Sequence, residues 1–197
     1  MKTTFKTGLA LLLGAVLFSS CEQCQTTSVT EVTEADASWL SYTKPVPTDG
    51  KPDTIRFANK DNAQVKFVRT HFYSSNVPAD GYSFDDKCIE KMDTQVSAII
   101  QDVKRRMPAL ATYILKKPND LQVKLMVDKL GTYDINEESP TYATKEINGF
   151  TYQDVFEKEM QGNDTDDKGK IKKIYYNKAY GFIRVEFFGG EFLQLQH

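Results

Sequence analysis

Few side chains in this sequence are of the types that make or break bonds, and their spacing limits what each could do. There are two histidines and three cysteines. His71 sits in an alternating apolar run with no acid or nucleophile nearby in sequence, so it reads as structural. Cys21-x-x-Cys24 has the spacing of half a zinc site, but no second pair follows to complete a tetrahedral set. Asn163 to Lys170 imitates a calcium loop. With Asp164 as position one, Asp166, Gly169 and Ile171 fall at positions three, six and eight, yet position five is Lys168 and position twelve is Tyr175. An oxygen ligand and a bidentate glutamate belong there, so the segment reads as a solvated turn. No Ser/His/Asp or Cys/His set is evident. The sequence therefore assigns no catalytic, cofactor-binding or metal-binding residue, and the expectation is a protein that is not an enzyme.

Cys21 is the exception, because of what precedes it. Lys2 and Lys6 give a basic start, and Gly8 to Phe18 form an uncharged apolar run of eleven residues. That is too short for a membrane-spanning helix, which needs about 20 residues, and fits a secretory signal. Cleavage after Ser20 or Ser19 would place Phe18 or Leu17 where a conventional site wants a small residue. Phe18-Ser19-Ser20-Cys21 instead resembles a bacterial lipobox, with Phe18 where leucine is usual. Such a cysteine takes a diacylglycerol and becomes the first mature residue, and several acyl chains hold where one would be marginal. Cys24 fits this role less well, since Glu22 and Gln23 precede it. The reading gives a lipoprotein signal peptide over 1–20, lipidation at Cys21, and a place in the cell envelope, at the outer membrane, on either face.

Loss of the leader leaves 177 of 197 residues, enough for one domain with a proper core. Lys2 and Lys6 leave with it, so 23 basic residues face 27 acidic ones, a net charge of −4. A nucleic-acid partner would ask for a basic excess. An exported chain can oxidise Cys24 with Cys88. Cys24, however, lies in a polar stretch that reads as a flexible tether over 21–38, and a free thiol at Cys88 is the first expectation.

The elements that must carry any site are mostly strands. Trp39-Leu40-Ser41-Tyr42 opens the domain, taken as 39–197, with Trp39 as a core anchor, and Pro45 to Pro52 is a turn cluster. Thr54 to Ala58 and Val65 to Tyr73 form a hairpin. In its second strand the apolar residues change face, so either both faces are covered or a bulge switches them. Leu110 to Leu115 and Leu121 to Val127 form a second hairpin. Thr141 to Ile147 and Phe150 to Phe156 form a third across Asn148-Gly149, the pair a type I′ turn prefers, with Ile147 facing Phe150 and Lys145 facing Tyr152. At the C-terminal end, apolar matching predicts a three-residue loop, Gly189 to Glu191, that opposes Phe187 to Leu193 and Val185 to Leu195. Between Ile89 and Arg106 the apolar residues recur at three and four steps, which predicts a helix. Val96, Ala98 and Ile100 also alternate as in a strand. The fold class is mostly β or α+β: an antiparallel sheet built as a meander of hairpins, a half-barrel or a sandwich, with one helix near 89–106 in the α+β form.

The leader together with Trp39-Leu40-Ser41-Tyr42, Ile55-Arg56-Phe57-Ala58-Asn59, and Tyr175 to Ile183 with Gly190-Glu191-Phe192 resembles a family of small, largely uncharacterised bacterial lipoproteins of the outer-membrane type. That resemblance implies strands throughout, Thr94 to Val103 included, and no site residue beyond Cys21. Three functions follow as expectations. The first is a membrane-anchored, non-enzymatic binding or structural module that meets an envelope protein. The alternative is a carrier of a lipid or other apolar ligand in a sheet-lined pocket, suggested by apolar side chains on both strand faces. A carboxylate-based glycoside hydrolase is the third, since acidic pairs are invisible in sequence.

Overall fold

The computed structural model describes residues 27–41 and 54–197. The leader, Cys21, Cys24, Tyr42 and the turn cluster at 45–52 lie outside the described residues.

Alternation of apolar and polar residues builds nearly the whole domain as strands. In chain order these are β1 (Ser28–Val29), β2 (Thr54–Ala58), β3 (Gln64–Pro78), β4 (Lys91–Asp102), β5 (Leu110–Lys117), β6 (Asp120–Val127), β7 (Gly131–Ile135), β8 (Tyr142–Ile147), β9 (Phe150–Glu159), β10 (Ile171–Asn177), β11 (Gly181–Phe187) and β12 (Phe192–Leu195). Among the described residues there is a single short helix, α1 (Glu34–Ala37), which precedes β2.

Strands β2 to β12 form one antiparallel sheet in the order β7-β6-β5-β4-β3-β2-β12-β11-β10-β9-β8. It is mostly β, a curled half-barrel rather than a sandwich. Two meanders, β2 to β7 and β8 to β12, are joined where β12 pairs β2 through Gln194 opposite Ala58 and Leu195 opposite Phe57. The sheet's free edges, β7 and β8, are thus consecutive in sequence, and β7 approaches β9 across the gap.

The inner face is filled. Phe57, Phe67, Ile100, Leu110, Ile114, Leu125, Ile174 and Phe182 are fully buried there. The start of the domain closes the interior: Trp39 stacks over Tyr176 with ring centroids 6.4 Å apart and meets Phe156 at 5.2 Å. The Tyr176 hydroxyl donates to the Trp39 carbonyl and accepts from Thr112 Oγ1 at 3.3 Å. Burial pushes this phenol up to about 12, so it stays a neutral donor.

Within 89–106 the chain forms β4, Lys91–Asp102, and not a helix. β4 pairs β3 along most of its length and β5 from Thr94 to Ile100, and this two-sided pairing overrides the helical spacing. The apolar residues at three- and four-residue steps do not share a face. Val96, Ala98 and Ile100 enter the core, whereas Val103 is 58% exposed. Buried Asp102 ends the strand by accepting the backbone N–H groups of Lys104, Arg106 and Met107.

Of the two alternatives for β3, a bulge is present between Arg69 and His71. Asn148 (φ 54°) and Gly149 (φ 78°) take the left-handed conformations of a type I′ turn, and Ile147 faces Phe150 and Lys145 faces Tyr152 as expected. The last hairpin differs. Val185 opposes Leu193, and Phe187 N–H donates to Glu191 O at 2.9 Å, so the three-residue loop is Phe188-Gly189-Gly190. The strand has moved by two positions, which keeps every apolar residue on its own face, and both glycines take positive φ.

Within the segment expected to be a tether, Ser28 to Ser38 pack on the domain. β1 runs parallel to β4, and Thr33 and Asp36 form a reciprocal capping box on α1. Asp36 also accepts Lys116 Nζ at 3.3 Å. Burial pushes its carboxyl up, but the hydrogen bonds from Thr33 and Lys116 outweigh this and hold it below the usual carboxylate range.

Candidate functional site

The inner face being filled, the candidates lie on the outer face, above all over β8 to β11. There Ile147, Tyr152, Val155, Tyr175 and Ile183 form a second, smaller apolar cluster. A backbone irregularity allows it: Asp154 takes φ 50°, so Tyr152 and Val155 both face outward although they are three residues apart.

One flank of this cluster is charged. Glu157 accepts from Tyr142 Oη at 3.1 Å, Lys145 Nζ at 3.4 Å and Lys173 Nζ at 3.1 Å, and Lys173 also meets Glu159 at 3.3 Å. The cross-strand register sets this up, since Tyr175 lies opposite Glu157 and Lys173 opposite Glu159. Burial pushes the Glu157 carboxyl up. Hydrogen bonds from Lys173 and Tyr142 and the two ammonium charges more than offset that, leaving it below the usual carboxylate range. Lys173 moves the other way: burial alone would lower it, but its carboxylate partners hold it well above the usual lysine value. Lys145 also packs 3.5 Å from the Tyr142 ring centroid. Such a carboxylate is neutralised and stays ionised; it is suited to fixing strands or facing a partner rather than to giving up a proton.

The other flank is an aromatic cleft. Phe150 at the start of β9, Tyr152, Tyr180 in the turn before β11, and His197 after β12 converge. His197 lies 4.4 Å from the Phe150 ring centroid and 5.2 Å from that of Tyr180, and its Nε2 is 2.7 Å from Tyr152 Oη. Phe150 and Tyr180 remain 46% and 47% exposed. The adjoining cleft, about 430 Å³, is lined by Arg56, Gln64, Asn148, Phe150, Leu195, Gln196 and His197. Half-exposed rings beside an arginine, amides and an imidazole can stack on and hydrogen-bond to a partner.

A third feature is a groove of about 290 Å³ on the outer face of β4 to β7, lined by Tyr113, Leu115 and Met126 together with Gln95, Gln122, Lys124 and Thr132.

The residues singled out by sequence do not gather at any of these places. Cys21 lies outside the described residues. His71 is exposed on β3, opposite Ile99. The acidic loop is organised by its own contacts: Asn163 Oδ1 accepts from Thr165 and Asp166, Asp167 binds Lys170, and Asp164 binds Lys172 and accepts from Gly189 N–H. Among the described residues no group of three metal-ligating side chains is found. Cys88 is disulfide-bonded, which corrects the expectation of a thiol there. The aromatic cleft was missed because its rings come from three separate turns and ends of strands. Only the Asn148-Gly149 turn, which places Phe150, left a sequence signal.

Compared with known proteins, the chain matches no family model, no curated protein and no solved structure.

Proposed function

We propose that the chain is a lipoprotein of the bacterial cell envelope, anchored at the outer membrane through lipid on Cys21, whose domain acts as a non-enzymatic binding module. The observation that carries the binding role is the pairing of a filled inner face with an open aromatic cleft at Phe150, Tyr180 and His197. The partner proposed is an envelope protein, held by ring stacking and by the amides and Arg56 around the cleft. The non-enzymatic reading draws on Glu157, the carboxylate beside the outer apolar cluster, being tied to two lysines.

Two measurements test it. An alkyne fatty acid should label the wild-type chain in a bacterial host and fail to label Cys21→Ser, which should leave the membrane fraction. A photocrosslinking amino acid at Phe150 should give a discrete protein adduct that Tyr180→Ala removes; a site outside the cleft lining, at Lys129 in the turn between β6 and β7, should give none. Absence of an adduct at Phe150 would end the cleft assignment.

A second reading, carriage of an apolar ligand, is favoured by the groove between Tyr113, Leu115 and Met126. An apolar fluorescent probe that bound there and was displaced by Met126→Trp would move this reading ahead.

A further inference from the structure

In a chain with 27 acidic and 25 basic residues, cations still gather in one place. Val103, Lys66, Arg56 and Gln196 form a row across the outer face. Val103 N–H donates to Lys66 O at 2.9 Å, Lys66 lies opposite Arg56, and Gln196 N–H donates to Arg56 O at 2.8 Å. Phe67 and Phe57, the strand neighbours of Lys66 and Arg56, are buried in the inner core, so the two cations point outward, and both are exposed. Arg56 and Gln196 line the aromatic cleft, and Val103 at the far end of the row is exposed. Directly after Val103 come Lys104, Arg105 and Arg106, all exposed.

Lys60, Lys116 and Lys173 each hold a carboxylate, whereas among the described residues none of these five cations makes an ion pair. The carboxylate of Asp102, just before the turn, is buried and accepts the backbone N–H groups of Lys104, Arg106 and Met107. It thereby fixes the turn that presents the three side chains. Arg105 holds φ 54°, a left-handed backbone that disfavours any residue but glycine. Like charges directly opposite in a sheet, as Arg56 and Lys66 are, work against stability. The flanking rows offer no acid: Gln101, Val68 and Thr54 lie on one side, and Gln64, Ala58 and Gln194 on the other. An uncompensated cluster beside a cleft suits an anion that comes from another molecule.

We propose that the partner held at the aromatic cleft is acidic: an extended segment of an envelope protein whose Asp and Glu side chains pair with Arg56, Lys66 and the turn at 104–106 as the segment leaves the cleft. The inference rests on the cleft reading and adds the partner's charge. The row spans three strand spacings, about 14 Å, which roughly four or five extended residues cover. Guanidinium groups take carboxylates in bidentate pairs, and Val103 offers an apolar contact at the far end. An anionic bilayer is the poorer occupant. A flat surface cannot enter the cleft, and it would also face Asp128 and Glu191, which with Lys129 line the depression beside Met107.

The test uses the full chain, purified from the host envelope into nanodiscs of uncharged phosphatidylcholine. The probes are a fluorescent glutamate-rich peptide containing tryptophan, its lysine-rich counterpart, and phosphatidylglycerol vesicles. The glutamate peptide should bind and should lose about tenfold or more in affinity between about 50 and 500 mM salt. Lys66→Gln and Arg106→Gln should each weaken it several-fold, and the lysine peptide should not bind. Lys66→Gln should melt no lower than the wild type, since it removes a like-charge pair; a merely structural Lys66 would give a lower melting temperature. Binding of the vesicles without the glutamate peptide would overturn the inference. So would peptide binding that is unchanged in both variants. Photocrosslinking from Phe150 separates the two readings. A protein adduct there with no glutamate-peptide binding would keep the cleft and remove the acidic partner, whereas variant-sensitive peptide binding with no adduct would keep the cationic row and remove the cleft.

Discussion

The two faces of this sheet are built from the same strands but hold their side chains differently. The inner face gathers residues from both meanders into one continuous core, closed by Trp39 and Leu40 and by one buried hydroxyl chain through Thr112 and Tyr176. The outer face gathers a buried apolar cluster over β8 to β11, flanked by a lysine-glutamate network and an aromatic cleft. Around the cleft the half-exposed rings rest on buried neighbours such as Tyr152. A face that is closed serves stability, and a face with rings left half in water is where a partner can gain contact.

Substitutions should separate the two faces, beginning with the inner plug. Trp39→Ala removes the ring that meets both Phe156 and Tyr176, and should lower stability by about 3–5 kcal/mol in denaturant unfolding. Ile183→Ala opens the outer cluster at a fully buried position and should cost about 2–4 kcal/mol. A loss below about 1 kcal/mol would mean that the outer cluster is not a true second core. Gly149→Ala meets no neighbouring atom but must hold φ 78°, so a loss of about 1–2 kcal/mol is expected from backbone strain alone.

The lysine-glutamate flank has a pH signature. Because the folded Glu157 carboxyl titrates below its ordinary 4.5, its contribution is present above that pH and is lost as pH falls through the folded value. Glu157→Gln should flatten the acid limb of a stability profile below about pH 4.5 and leave its shape near neutrality unchanged. An unchanged acid limb would show that the network does not stabilise the fold. The smallest effect belongs to the cleft: Phe150→Ala should shift stability by no more than about 0.5–1 kcal/mol while removing any partner contact there. A larger loss would make the cleft part of the core rather than a binding surface.

The sequence was most informative where a residue's own chemistry fixes local geometry. Asn148-Gly149 determined its turn and the pairing of Ile147 with Phe150, because both positions demand positive φ. Period-two alternation in Leu121 to Val127 determined which side chains enter the core. Trp39 was legible as an anchor from its place at the head of the first dense apolar group.

Other features needed the tertiary structure. From Ile89 to Arg106 the spacing read as a helix, because a central strand with apolar residues on both faces loses the clean alternation that marks a half-buried one. The last hairpin could slip by two residues without exposing an apolar side chain, so face matching alone could not choose its register. The cleft joins Phe150, Tyr180 and His197 across long sequence separations, and the Glu157 network depends on which lysines the neighbouring strands place opposite it. Local patterns are set by backbone conformation and solvent on one side of one strand. A site formed between strands is set by register and curl, which arise only when the whole sheet closes on a single core.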